Sequence, residues 1–95
     1  MARGPELREL AQGFALLSDA TRLGILKILA AGPRNVTALV KALDSKAPTV
    51  SGHLGLLRLG RLVVGTRKAK TVEYAIQAAN LKALAAGIEK LTPKK

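Results

Sequence analysis

Eight basic residues lie between positions 34 and 70: Arg34, Lys41, Lys46, Arg58, Arg61, Arg67, Lys68 and Lys70, against a single acid, Asp44. Guanidinium and ammonium groups at this density do one kind of chemistry unaided, which is to hold the phosphates of a polyanion. Arg67, Lys68 and Lys70 fall within four residues. Such a cluster is either a phosphate or minor-groove anchor or the ordinary solvated tip of a turn. Thr49, Ser51 and His53 are short polar side chains of a size that can touch base edges.

The whole chain of 95 residues has 16 Lys and Arg against 6 Asp and Glu, a formal net charge of +10. Nucleic acid is the first expected partner and an acidic membrane surface the second. Aromatic residues are 2% of the chain, Phe14 and Tyr74 alone. Binders of single strands and RNA loops stack bases on aromatic rings, at about 1–3 kcal/mol per base. With so little to stack on, double-stranded DNA is the favoured ligand.

Other chemistries are excluded by residue type. There is no cysteine, so disulfides, thiolate metal sites and thiol redox sensing are out. No nucleophile–base pair, acid cluster or phosphate-cradling loop is present, and neither an enzyme nor a cofactor is expected. No apolar run approaches the roughly 20 residues that span a bilayer. Met1–Glu6 lacks the apolar core of a signal peptide. A cytoplasmic location, on the nucleoid, is expected, which makes the Asn35-Val36-Thr37 sequon silent.

These side chains need elements to carry them. Pro5 suits a first helical turn, and Leu7, Leu10, Ala11, Phe14 and Leu17 follow at helical spacing. Ser18-Asp19 can cap a second helix, apolar nearly all round, which stops at Gly32-Pro33. Val36 is expected in a short extended link, with Thr37 capping a helix over 38–43. After the polar turn Asp44-Ser45-Lys46, a fourth helix runs from about Pro48 to Leu59, ahead of Gly60. Two helices joined by so short a turn form a helix-turn-helix over 37–59. Two β-rich runs around a basic tip read as a hairpin over 62–76. A last helix over 79–91 carries Leu81, Leu84, Ala85, Ile88 and Leu91, and Pro93-Lys94-Lys95 is a frayed tail. The fold expected is a single domain over 1–95, mainly α with a small β-hairpin, in the order α-α-α-α-β-β-α.

Three blocks resemble the ArsR-type winged helix-turn-helix regulators of bacteria and archaea. They are Leu17-Ser18-Asp19-Ala20-Thr21-Arg22-Leu23-Gly24-Ile25-Leu26, then Pro48-Thr49-Val50-Ser51-Gly52-His53-Leu54-Gly55-Leu56-Leu57-Arg58, then Leu62-Val63 followed by a basic hairpin and Tyr74. The resemblance covers about residues 14 to 76. It implies a recognition helix at 47–59, a wing at 62–76, and a homodimer built from the first and last helices. The DNA contacts it leads us to expect are Lys46, Ala47, Thr49, Ser51, Gly52, His53 and Arg58 on the recognition helix, and Arg67, Lys68 and Lys70 on the wing. The expected dimer residues are Leu7, Leu10, Phe14, Leu81, Leu84, Ile88 and Leu91. Many members of the family sense metals through cysteines on the third helix or through His, Asp and Glu on the last. Here the third helix has no thiol and the last offers only Glu89. No metal site is expected, because one needs three or four convergent ligands; the effector, if any, is unknown.

On the recognition helix Val50, Leu54 and Leu57 should face the core, which turns Gly52 and Gly55 outward. A bare face can let the backbone sit deep in the major groove. Alternatively, direct readout is poor and affinity rests on phosphates, since strong base discrimination comes mostly from Arg, Asn or Gln. Arg22 can pair with Asp19 or reach a phosphate, and Tyr74 reads as a core-edge residue. The function expected is a sequence-specific transcription regulator, a repressor acting without a metal. The rivals are an architectural protein that coats DNA and a winged helix that binds another protein.

Overall fold

A computed structural model describes residues 4–93. Met1–Arg3, and Lys94-Lys95 of the expected basic tail, lie outside the described residues. Helices α1 (Gly4–Leu17), α2 (Ala20–Leu29), α3 (Val36–Leu43) and α4 (Ala47–Leu59) are followed by strands β2 (Val63–Lys68) and β3 (Thr71–Ile76) and helix α5 (Ala78–Glu89). A two-residue strand, β1 (Arg34–Asn35), precedes α3. It pairs antiparallel with β3, Arg34 opposite Tyr74 and Asn35 opposite Glu73, so the hairpin is part of a three-stranded sheet of order β1-β3-β2.

The core is Ile25, Leu26 and Leu29 of α2, Leu39 of α3, Val50, Leu54 and Leu57 of α4, then Leu62 and Val63. Helices α2 and α4 present residues three and four apart to this centre, as amphipathic packing requires. Helix α2, apolar nearly all round, supplies three of these core residues, while Leu23 on it remains about half exposed.

Helix ends account for the boundaries. Asp19 caps α2 as expected, its Oδ2 accepting from the Arg22 amide at 3.0 Å. The start of α3 differs from expectation. Asn35, not Thr37, is its cap, with Oδ1 accepting from the Ala38 amide at 2.9 Å, and Val36 is already helical rather than an extended link. Asp44 ends α3 in the left-handed region (φ 52) and the Ser45 amide reaches back to the Val40 carbonyl, opening the turn into α4. The end of α4 repeats this closure. The Arg61 amide bonds to the Arg58 carbonyl and the Leu62 amide to the Leu57 carbonyl, both at 2.9 Å. Here the left-handed residue is Arg61 (φ 63), while Gly60 keeps a negative φ of −80°. Gly60 has a different reason to lack a side chain: one Leu16 methyl occupies the place its Cβ would take.

The terminal helices pack on each other within the chain. Leu84 of α5 sits where a Cβ on Gly13 would be, and Leu10 of α1 sits at 2.6 Å from where a Cβ on Gly87 would be. Of the seven residues expected at a dimer interface, Leu10, Phe14, Leu81 and Leu84 are half-buried inside the monomer. Leu7, Ile88 and Leu91 are 51%, 47% and 61% exposed.

Candidate nucleic-acid interface

The turn Asp44–Lys46 delivers the chain into α4 with Pro48 in the first turn, where its missing N–H costs nothing. Val50, Leu54 and Leu57 are fully buried, which fixes the rotation of α4 about its axis. Lys46, Ala47, Thr49, Ser51, Gly52 and Arg58 are consequently exposed. Nothing lies within 4 Å of a Cβ built on Gly52 or Gly55, so that face is bare. Leu56 and Leu59 add exposed apolar surface toward the C-terminal end. Lys46 occupies the N-cap position, with no side-chain cap on the free amides behind it.

His53 differs from the other expected contacts. Its side chain is only 21% exposed, and Nδ1 lies 3.2 Å from a terminal nitrogen of Arg22 and 3.9 Å from Oδ2 of Asp19. The Arg22 Nε donates to the Leu16 carbonyl at 2.6 Å. Arg22 is thus engaged inside the fold by its side chain, and meets Asp19 through its backbone amide. That amide, together with the Arg22 charge, holds the Asp19 carboxyl below its ordinary value of 3.8.

In the hairpin, Val63 opposes Ile76 and Lys68 opposes Thr71, leaving Ala69-Lys70 as a two-residue tip. Ala69 takes a positive φ of 54°, as tight hairpin turns require, although it is not glycine. Gly65 stands opposite Tyr74, and a Cβ there would meet the Tyr74 ring at 3.1 Å. The absent side chain lets the half-buried tyrosine lie across the strand against the core, the core-edge position expected of it. Arg67, Lys68 and Lys70 are all exposed. Lys68 Nζ is 3.7 Å from Glu73 Oε1, a surface ion pair that sequence spacing did not suggest. Among the described residues there is no group of three or more His, Cys, Asp or Glu that could hold a metal ion. No helix among them is long and apolar enough to cross a membrane.

The model of the arsR family of bacterial regulatory proteins matches residues 19–63. This segment, from the cap of α2 through α4, is an ArsR-type helix-turn-helix. The chain is 41% identical over 66 residues to the arsenical resistance operon repressor of Escherichia coli, covering 68% of this chain and 56% of that protein. It is 39% identical over 64 residues to the transcriptional regulator KmtR of Mycobacterium tuberculosis, covering 67% and 49%. The chain therefore spans about half the length of the curated relatives it matches. Among solved structures, an ArsR-like transcriptional regulator from Rhodococcus superposes with a TM-score of 0.84 at 29% identity, over 92% of this chain and 82% of that one. The homodimeric winged helix-turn-helix DNA-binding domain of a possible ArsR-family regulator from Mycobacterium bovis gives 0.79 at 27% identity, over 95% and 84%. The ArsR-type segment contains Asp19, Arg22, His53 and all of α4; most of the wing and the terminal helices lie beyond it.

Proposed function

We propose that this chain is a DNA-binding transcription regulator that acts as a homodimer, represses, and needs no metal effector. The observation that carries the reading is the rotation of α4. Burial of Val50, Leu54 and Leu57 turns Thr49, Ser51 and Gly52 outward, with exposed Lys46 and Arg58 on the same helix and a basic hairpin following it. An exposed helix of this kind enters the major groove, with phosphate contacts setting its register. Lys46, Ala47, Thr49, Ser51, Gly52 and Arg58, with Arg67, Lys68 and Lys70 on the wing, are the proposed contacts.

Dimerisation is supported by Leu7, Ile88 and Leu91, which leave apolar surface along the groove between α1 and α5. It is supported also by the homodimeric Mycobacterium bovis domain of the same fold. Repression follows the role named for the Escherichia coli relative. Metal independence rests on the absence of cysteine from the chain. Such a protein works in the cytoplasm, on the nucleoid.

The test is footprinting of purified protein on genomic fragments. A regulator protects a discrete inverted repeat, and stoichiometric zinc, copper or arsenite leaves its affinity unchanged. A second reading, an architectural protein with little sequence preference, draws on the bare Gly52 and Gly55 face, which offers no long side chain to a base edge. Continuous protection without a preferred sequence would move that reading ahead.

A further inference from the structure

Arg22 reaches from α2 in two directions. On one side its Nε and one terminal nitrogen donate to the Leu16 and Ala15 carbonyls, at 2.6 and 3.4 Å. Both carbonyls belong to the last turn of α1, where a helix runs out of its own amides. On the other side the second terminal nitrogen lies 3.2 Å from His53 Nδ1 on α4. A guanidinium can only donate, so Nδ1 accepts and the ring proton sits on Nε2. Asp19 closes the cluster, taking the Arg22 amide and standing 3.9 Å from the same ring nitrogen. One side chain thus ties the end of α1 and the start of α2 to a flank of α4, next in sequence to the bare Gly52.

We propose that Arg22 and His53 are positioning residues for DNA reading. Arg22 sets the orientation of α4 against the end of α1 by holding His53 through Nδ1. The proposal rests on the DNA-binding function proposed above. It differs from a direct base contact by His53, because it works through the ring nitrogen that faces the protein. Charge-assisted hydrogen bonds are the strong ones, and a planar fork that engages α1 and α4 together resists rotation of one against the other.

The experiment separates the two ring nitrogens. In His53→Asn the amide group falls near the place of Nδ1 and can still accept from Arg22. In His53→Gln the amide falls near the place of Nε2, and Arg22 loses its acceptor. The probe is the duplex that the wild-type protein selects from a randomised pool, with an unselected duplex as reference. On the selected duplex, His53→Asn should bind within about threefold of wild type, and His53→Gln and Arg22→Gln should each lose about tenfold. In the Arg22→Gln background the difference between the two His53 variants should vanish, as it must if they act through one contact. Thermal unfolding of each variant separates loss of fold from loss of reading. Arg22→Lys, which keeps the charge without the fork, replaces Arg22→Gln if that variant does not fold, with the same loss expected. Retention by His53→Gln with loss by His53→Asn, or an equal effect of the two, overturns the proposal. A wild-type protein that selects no duplex at all overturns the DNA-reading function together with it, and does so before any variant is compared.

Discussion

Replacing Arg67 and Lys70 with alanine tests whether the wing is an electrostatic anchor. Both side chains are exposed at or beside the hairpin tip, with no ion pair seen among the described residues. Lys68 is different: Glu73 lies 3.7 Å away and partly occupies its charge. In a dimer, the double substitution removes four basic groups from the DNA face. A protein that neutralises Z phosphates has a log-log salt slope of about −0.9Z, so the variant should be flatter by about 3.6. Between roughly 50 and 200 mM salt, wild type should lose about 150-fold more affinity than the variant. Lys68→Ala alone should change the slope by less than about 0.9 per copy, because Glu73 competes for that ammonium. Thr49→Ala or Ser51→Ala should instead lower the preference for the selected site and leave the slope alone. Anisotropy titrations on selected and random duplexes at several salt concentrations measure all of this. An unchanged slope in the Arg67 and Lys70 variant would refute the anchor.

Three further outcomes follow from the structure. Ala69→Gly should raise stability by about 0.5 kcal/mol, because the positive φ of 54° costs an L-residue roughly 1–2 kcal/mol while the extra chain entropy glycine loses on folding takes back about 0.5–1 kcal/mol; a lowered unfolding midpoint would contradict it. Ile88→Lys, at a side chain 47% exposed in the monomer, should convert a dimer to a monomer in sedimentation with little change in the unfolding of the monomer. Leu84 is a poorer choice because it packs on Gly13. Asp19→Asn keeps a capping oxygen and removes the charge. The folded-state pKa of Asp19 is lowered, so the stability its charge contributes is complete above the ordinary value of 3.8 and lost as pH falls through the lowered one. Denaturant unfolding across that range should show wild type and variant converging in acid; a gap independent of pH would reject the charge as the cause.

Much of this architecture is legible in residue order, and what escapes it shares a cause. Local periodicity and cap chemistry point correctly to Asp19 as a cap, to Val50, Leu54 and Leu57 as the buried face of α4, and to the hairpin after Leu62. Strand β1 escapes because two residues have no periodicity, and its partner Tyr74 is 40 positions from Arg34. Asn35 and Thr37 are both good caps by type; the pairing of Asn35 with β3 decides between them. Gly60 marks the end of α4 in the sequence, but its lack of a side chain makes room for Leu16, and the left-handed residue is Arg61, a packing outcome that residue order does not carry.

Residue types alone determined that this chain is basic, free of thiols and nearly free of aromatics, with its positive charge concentrated on the helix-turn-helix and hairpin. These properties belong to side chains one at a time, so no fold is needed to read them. Only the tertiary structure decided which polar groups are already engaged. His53 and Arg22 are 31 residues apart and meet at 3.2 Å, turning an expected base contact toward the protein. Lys68 and Glu73 meet across the hairpin. Leu10 and Leu84, expected to await a second copy, fill the spaces over Gly87 and Gly13 in the same chain. A hydrogen bond or a packed methyl depends on distances of a few ångströms, and such distances between remote positions exist only once the chain has folded.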